Sequence, residues 1–261
     1  MRIASWNTNC GWRFKDEKKA QEKVNHLIRT VKNIDLAFLM EHPKCAKLLN
    51  AVAIVKDTYF KEGRFEEEVS KDTRTAGLYL PADSAVEIIG HQILAPANIN
   101  SFIMGYVAKW KGEIFHIACL WNYIPKDCKD NDYVRNIGEM LNSSQNFLQE
   151  SKNSILIGDF NISAFHYSRQ RKMHEEEYSF LHDKIENGLK LRWLDCDVPE
   201  EKKRTFYPGK GDNGLAIDFC AVSPSLQKRS ELIYGKWEKF VKKEGDKPSF
   251  SDHVPLILKI D

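Results

Sequence analysis

Several features that would place this chain of 261 residues in a special class are missing. Its six cysteines include no pair with Cys-x-x-Cys spacing, which disfavours a zinc site or a disulfide framework and favours free thiols in a reducing compartment. No continuous apolar run reaches the ~20 residues of a transmembrane helix, and the first residues lack the apolar segment of a secretory signal. We therefore expect a cytoplasmic protein that does not bind a membrane.

A strong charge of one sign is also missing, because the net charge is only +2. Such a chain permits a polyanionic partner without requiring one. Basic residues gather locally, although such clusters are more often solvated surface than binding sites. Three clusters stand out: Arg169, Arg171 and Lys172; Lys202, Lys203 and Arg204; Lys242 and Lys243.

The composition is that of an ordinary globular protein, with 42% hydrophobic and 29% charged residues. No linker, low-complexity tract or shift of composition divides the chain. A chain of this length can bury one substantial core. The sequence therefore predicts one domain over residues 1–261.

Hydrophobic spacing alternates between the helical and the extended period along the chain. Helices are predicted over 20–31 (with Asp16 as N-cap), 45–54, 134–148 and 172–187. Strands are predicted over 3–6, 35–41, 76–80, 85–89, 101–110, 113–121, 155–157, 192–195, 217–222 and 254–260, with a hairpin turn at Lys111-Gly112.

Polar side chains interrupt the strand-like runs at their ends. The carboxylate of Asp159 and the carboxamide of Asn161 follow the apolar run 155–157, and Asn7 and Asn9 follow the first strand. Side chains at positions i and i+2 of extended backbone share one face. Each pair can therefore point at one spot from the rim of a sheet.

Four more polar residues stand at strand-like runs: Glu41, Asp218, Asp252 and His253. A charge such as Asp218 inside an apolar run needs a partner when it is buried. His253 is a natural partner, because a carboxylate stabilises the protonated form of an imidazole.

These residue types suit the hydrolysis of a phosphate ester. Oxygen ligands prefer Mg²⁺ or Mn²⁺, and Glu41, with Asp252 and Asn9, would supply such a site. Asp159 is the candidate base for water, and donors to the phosphoryl oxygens are Asn7, Asn161 and His253.

The order of the short motifs resembles the endonuclease/exonuclease/phosphatase superfamily, with closest similarity to exonuclease III and its bacterial relatives. Each motif alone is weak, but six in the family's order are specific and span the chain from Asn7 to Pro255. They are Ser-Trp-Asn-x-Asn, Leu-Met-Glu, Tyr-Ile-Pro, Gly-Asp-Phe-Asn-Ile-Ser, Ile-Asp-Phe and Ser-Asp-His-x-Pro-Leu. The resemblance implies the DNase I-like fold, an α/β four-layer sandwich of two packed, mostly antiparallel sheets flanked by helices.

The resemblance also implies a role for each matched position. Asn7 and Asn161 match phosphate-contacting residues, and Asn161 also helps to hold Asp159, which matches the Asp that orients or deprotonates water. Glu41 matches the main metal ligand, while Asn9 and Asp252 match positions near or around the metal. His253 and Asp218 match the phosphate-polarising His and its partner, and Tyr123 resembles an active-site Tyr, for which Asn122 is an alternative.

Two departures from the family pattern limit how far its specificity transfers. Met40 stands where the family usually has Gln before the metal-binding Glu, and no Arg precedes Ile217-Asp218. The second departure leaves abasic-site specificity without support.

The sequence favours a Mg²⁺- or Mn²⁺-dependent phosphodiesterase, a nuclease acting on DNA or RNA, working as a monomer without a protein partner. One alternative is hydrolysis of a small or lipid-linked phosphate, such as an inositol phosphate or sphingomyelin. Another is an inactive nucleic-acid-binding module on the same fold. Trp12 and Tyr207 are candidates for stacking on bases, although a core position is more frequent for such residues.

Overall fold

The computed structural model describes residues 1–9, 17–43, 74–94, 102–122, 130–162, 175–194, 203–207, 214–241 and 250–261. The strands in this part of the chain are β1 (Arg2–Asn7), β2 (Leu36–Pro43), β3 (Arg74–Tyr79), β4 (Glu87–Ile93), β5 (Phe102–Trp110), β6 (Glu113–Trp121), β7 (Ser154–Asp159), β8 (Arg192–Trp193), β9 (Asp218–Val222), β10 (Ser230–Tyr234) and β11 (Leu256–Ile260). The helices are α1 (Glu17–Thr30), α2 (Asp130–Gln149), α3 (Glu175–Asp183, continued by a π-helical turn over Lys184–Gly188), α4 (Pro224–Gln227) and α5 (Trp237–Phe240).

The strands form two sheets. The five-stranded sheet has the order β10-β11-β1-β2-β3, and only the β1–β2 pair is parallel. The six-stranded sheet has the order β4-β5-β6-β7-β9-β8, and only the β6–β7 pair is parallel. Both sheets are therefore mostly antiparallel, as expected.

Three apolar layers hold the sheets and helices together. Side chains such as Phe38 and Ile155 fill the layer between the two sheets. Leu27 of α1 packs on the outer face of the five-stranded sheet, and Leu141 of α2 packs on the outer face of the six-stranded sheet. The arrangement is helix, sheet, sheet, helix, so the predicted four-layer α/β sandwich is confirmed.

Most predicted elements in the described part of the chain are present, with shifted ends. Strand β10 was not predicted, because its run Ser-Glu-Leu-Ile-Tyr alternates only weakly. Strand β2 extends past Glu41 instead of ending there, through a bulge between Leu39 and His42. The predicted helix 45–54 and the cap Asp16 lie outside the described residues. None of the helices in the described ranges is long and apolar enough to cross a membrane.

The antiparallel pairings explain why polar residues from distant parts of the chain meet. Asp159, the last residue of β7, lies opposite Asp218, the first residue of β9. The residues that precede β11 likewise lie beside the end of β1, since these strands are antiparallel neighbours. The ends of β1 and β7 and the starts of β9 and β11 therefore share one edge of the sandwich.

Gly158 allows the end of β7 to lie against β6. Its φ is +154°, and a Cβ at this position would lie 1.9 Å from the carbonyl oxygen of Leu120. Only glycine fits this close approach. The next residue, Asp159, is held in register with Trp121 on β6 by the same approach.

Candidate active site

Asn7 connects two carboxylates at the shared edge. Its buried side-chain amide donates to Oε1 of Glu41 (3.2 Å) and to Oδ2 of Asp159 (3.0 Å). Its Oδ1 accepts a hydrogen bond from the backbone N–H of Asn9 (3.0 Å). The amide is thus fully bonded, and it fixes the spacing between the two acids.

Glu41 is aimed into the site by irregular backbone. It lies in the bulge of β2, with a φ of +49°, a left-handed conformation that costs a non-glycine residue roughly 1 kcal/mol or more. The hydroxyl of Thr8 donates to the carbonyl oxygens of Met40 (3.0 Å) and Glu41 (3.2 Å) and so fastens the bulge to the first strand. Met40 itself is buried between the sheets, where an apolar side chain fits.

The loop after β7 orients Asp159. Its Oδ1 accepts from the backbone N–H of Asn161 (2.8 Å), and the Asn161 side-chain amide donates to the carbonyl oxygen of Asn122 (3.0 Å). Asn161 has a φ of +53°, which turns the chain back toward the carboxylate. The side chain of Asn122 in turn donates to the carbonyl oxygen of Phe160 (2.8 Å).

A buried acid and imidazole pair lies beside Asp159. Nδ1 of His253 is 3.1 Å from Oδ2 of Asp218, and their side chains are 5% and 1% exposed. Ligand atoms of Asp159, Asp218 and His253 all lie within 4.8 Å of one another. The structure therefore brings together residues that lie almost 100 positions apart in the sequence.

The electrostatics of this trio follow from burial and mutual contact. Burial and the neighbouring Asp218 raise the pKa of Asp159 to about 8. Burial acts to lower the pKa of His253, but the charge of Asp218 and its hydrogen bond prevail and raise it to about 10. His253 is accordingly an imidazolium at neutral pH, and it can donate a proton from Nε2 in a hydrogen bond.

Asp252 and Asn9 border this network. The half-buried Asp252 carboxylate lies 4.0 Å from Nε2 of His253, while Asn9 is exposed and joins through its backbone N–H. The residues that follow β1 and those that precede β11 are joined by a hydrogen bond, because the hydroxyl of Ser251 donates to the carbonyl oxygen of Asn7 (2.7 Å).

Two groups of residues have the chemistry of a cation site. The trio of Asp159, Asp218 and His253 is compact, and Oδ1 of Asp218 has no hydrogen-bond partner among the described residues. However, all three side chains of the trio are buried, and Nδ1 of His253 is already paired with Oδ2 of Asp218. Glu41 is only half-buried and is therefore a better oxygen ligand for a hard cation that keeps water in its shell.

Sequence reasoning missed three supporting residues. The Trp6 indole N–H donates to the carbonyl oxygen of His253 (3.0 Å). The buried hydroxyl of Thr205 accepts from the backbone N–H of Asp218 (3.1 Å). Ser251 accepts from the backbone N–H of His253 (3.0 Å). Trp6 and Ser251 lie inside quoted motifs, whereas no signal in the sequence pointed to Thr205.

Other predicted residues have different outcomes. Tyr123, Trp12, the cluster at 169–172 and the pair 242–243 lie outside the described residues. Tyr207 is buried in the core against Trp237, so stacking on a base is not its role. Lys203 is buried as well, and it does not belong to an open basic surface.

Known proteins resemble this chain in structure but not in sequence. No protein-family model matches the chain, and no curated protein matches it by sequence. Solved structures do match over almost all of this chain. The 3′ phosphatase NExo from Neisseria, bound to product DNA hairpin, has a TM-score of 0.66 at 18% identity and covers 100% of this chain and 99% of its own. TDP2 from D. rerio, complexed with single-strand DNA product, has a TM-score of 0.66 at 12% identity, covering 100% and 98%. Beta toxin from Staphylococcus aureus has a TM-score of 0.61 at 11% identity, with 100% of both chains covered.

The chain has the DNase I-like fold. These neighbours are members of the endonuclease/exonuclease/phosphatase superfamily, so the resemblance seen in the motifs is confirmed at the level of the fold.

Proposed function

We propose that this protein is a divalent-metal-dependent phosphodiesterase, a nuclease that hydrolyses DNA or RNA by attack of water on the phosphate. The observation that carries the proposal is the buried network at the edge of the sandwich, in which Asn7 bridges Glu41 and Asp159 and the Asp218–His253 pair lies beside them. Asp159, Asp218 and His253 are buried and Glu41 is half-buried. Burial of an unpaired charge is costly, so a structural role alone seldom accounts for such a cluster of carboxylates and an imidazole.

Asp159 is the group that orients and deprotonates the attacking water. Its carboxylate is fixed by the Asn7 amide and the backbone N–H of Asn161, so its position does not depend on the substrate. In its charged form a carboxylate with a raised pKa is a stronger base than an exposed one, and a divalent cation held nearby favours that charged form.

His253 is the group that donates to a phosphoryl oxygen. Asp218 holds its Nδ1 and keeps the ring protonated, which leaves Nε2–H for the substrate. Fixed donors aimed at developing negative charge stabilise a transition state without reorganisation. Asn7 and Asn161 hold Asp159 in place, and each amide would have to exchange one of its present hydrogen bonds in order to donate to a phosphoryl oxygen.

Glu41, with Asp252 and Asn9, is the proposed holder of Mg²⁺ or Mn²⁺. When bound, such an ion neutralises phosphate charge and stabilises the leaving oxygen. These residues fit such an ion, because each offers a side-chain oxygen atom as a ligand. Glu41 and Asp252 are half-buried carboxylates, and Asn9 is an exposed carboxamide.

Nucleic acid is the proposed substrate class. Two of the solved relatives are described with DNA product bound, and each covers the whole of this chain. The proposal includes one catalytic domain over residues 1–261, a monomer, and a cytoplasmic location. The location is in keeping with the free thiols of Cys119 and Cys220, the two cysteines in the described part of the chain.

A cleavage assay with five substrates tests the proposal. Plasmid DNA, single-stranded oligonucleotides of DNA and RNA, an inositol phosphate and a small activated phosphodiester are incubated with Mg²⁺, Mn²⁺ or excess EDTA. Cleavage of an oligonucleotide or plasmid that needs a divalent ion, and that Asp159→Asn abolishes, is the expected result. The matched control is Asp83→Asn, which should keep wild-type turnover. Asp83 is an exposed carboxylate that is distant in sequence from Asp159.

Two other outcomes contradict the nuclease assignment in different ways. Turnover restricted to the small phosphodiester or the inositol phosphate assigns the chain to small phosphates. Salt-dependent binding of oligonucleotides without cleavage of any substrate assigns it to an inactive binding module.

A further inference from the structure

His26 on α1 is the centre of an aromatic cluster behind the site. Its ring lies flat on Phe250, with ring centroids 3.7 Å apart and planes at 8°. It also meets the edge of Phe240, with centroids 5.2 Å apart, and its Nε2 lies 2.8 Å from the carbonyl oxygen of Lys239. Three contacts therefore fix one half-buried histidine.

The cluster is continuous with the backbone of His253. Phe240 meets the ring of Trp6 edge-on, with centroids 5.4 Å apart, and the Trp6 indole N–H donates to the carbonyl oxygen of His253. The carbonyl oxygen of Phe240 accepts from the backbone N–H of Ser251 (3.1 Å). Contacts from His26 thus reach both sides of the turn formed by residues 250–253, since Phe250 is its first residue.

The protonation state of the His26 ring favours flat stacking on Phe250. Burial lowers its pKa, and the nearby cations Arg29 and Lys239 lower it further, although the Lys239 carbonyl acts in the opposite direction. A neutral ring donates Nε2–H to that carbonyl and keeps the tautomer fixed by the hydrogen bond. A neutral imidazole stacks on an apolar ring at lower desolvation cost than an imidazolium.

The same face of α1 also contacts the first polar turn. Lys23 lies one helical turn before His26, and its ammonium donates to the carbonyl oxygen of Thr8, between Asn7 and Asn9. Helix α1 therefore contacts both turns that supply the site, one through Lys23 and the other through His26.

We propose that His26 is a positioning residue for the Ser251-Asp252-His253 turn, and that its stacking on Phe250 sets the distance of His253 from Asp159. This inference rests on the proposed function of that turn. His26 touches neither the substrate nor the reacting atoms, and it acts through Phe250, Phe240 and Trp6. Displacement of a catalytic group by a fraction of an ångström lowers turnover without a matching loss of substrate binding.

The chain offers a matched control in His116. Its ring stacks on Phe147, with centroids 4.6 Å apart and planes at 21°, and its Nδ1 lies 2.6 Å from the Phe147 carbonyl oxygen. His116 pairs with Ser154 at the opposite end of β6 and β7 from Asp159. His26→Ala and His116→Ala thus remove the same kinds of contact, near the site and far from it.

The experiment compares three variants: His26→Ala, His26→Phe and His116→Ala. We expect His26→Ala to lower kcat about 10-fold with KM changed by less than about twofold. His26→Phe keeps the ring on Phe250 and should restore kcat to within about threefold of wild type. His116→Ala should lose stability like His26→Ala, measured by urea unfolding, yet keep wild-type kcat.

A second readout needs no activity. The imidazole nitrogen signals of His253, measured by NMR on the full chain, should shift in His26→Ala, return in His26→Phe and stay unchanged in His116→Ala. If the wild type cleaves no phosphate ester, the proposed function fails and these spectra alone decide the positioning role.

Three results from the alanine variants overturn the inference. They are wild-type kcat in His26→Ala when the wild type is active, an equal loss of kcat in His116→Ala, and unchanged His253 signals in folded His26→Ala. Loss of kcat in both His26→Ala and His26→Phe also contradicts it, because the stacking ring is then not the cause.

Discussion

Relative to the metal-free wild type, the metal-free Asp159→Asn variant should become more stable as the pH rises. The Asp159 side chain is completely buried, and its pKa is raised to about 8 by burial and by Asp218. In the unfolded chain its pKa is near 3.8, the ordinary value for an aspartate. Between about pH 4 and pH 8 the folded protein therefore holds a proton that the unfolded chain has lost.

The sign and the size follow from this difference in bound protons. A folded state that binds more protons loses stability as pH rises, by at most roughly 1.4 kcal/mol per pH unit for one group. From pH 5 to pH 8 the free energy of unfolding of Asp159→Asn should therefore gain about 2–4 kcal/mol relative to wild type. The amide that Asn places near the donors of Asn7 and Asn161 carries a cost, but that cost does not change with pH and cancels.

Urea unfolding in excess EDTA at several pH values between 5 and 9 measures the effect. At each pH the free energy of unfolding of the variant is compared with that of the wild type. The contributions of groups that titrate alike in both proteins, such as those that do not contact Asp159, cancel in this difference. Asp83→Asn removes an exposed carboxylate and serves as the control for the loss of one surface charge.

A difference for Asp159→Asn that stays constant from pH 5 to pH 8, or that shrinks, would refute the reasoning. The same series in Mg²⁺ provides an added check. A cation bound near the carboxylate favours its charged form, so the gain of the variant with pH should be smaller than in EDTA.

Three further outcomes follow from the site. Glu41→Gln should reduce turnover at least about 100-fold at saturating Mg²⁺ with little change in unfolding free energy, and wild-type turnover would exclude Glu41 as the metal ligand. Gly158→Ala should destabilise by roughly 3 kcal/mol or more in urea unfolding, because its Cβ clashes with backbone, whereas Gly77→Ala, whose Cβ meets no atom within 4 Å, should change stability by less than about 1 kcal/mol. Asp159→Asn and His253→Ala should each lower kcat about 100-fold or more, and the double variant should lose less than the product of the two losses; multiplicative losses indicate independent action.

The sequence by itself determined the secondary structure and the choice of polar residues. Alternation and apolar runs predicted strands such as β5 and β6 with ends correct to within a residue or two, since side-chain periodicity is a local property. Motif order then indicated the fold, which the solved structures match. The polar residues at strand ends were visible because they interrupt these local patterns.

Only the tertiary structure decided how those residues meet. The bulge that turns Glu41 inward and the register that places Asp159 opposite Asp218 depend on strand pairing, which no local pattern encodes. The burial of Tyr207 and the stacking of His26 on Phe250 depend on how helices pack on the outer face of a sheet. Periodicity specifies which face of an element is apolar, but contacts between distant segments arise only when the layers pack together.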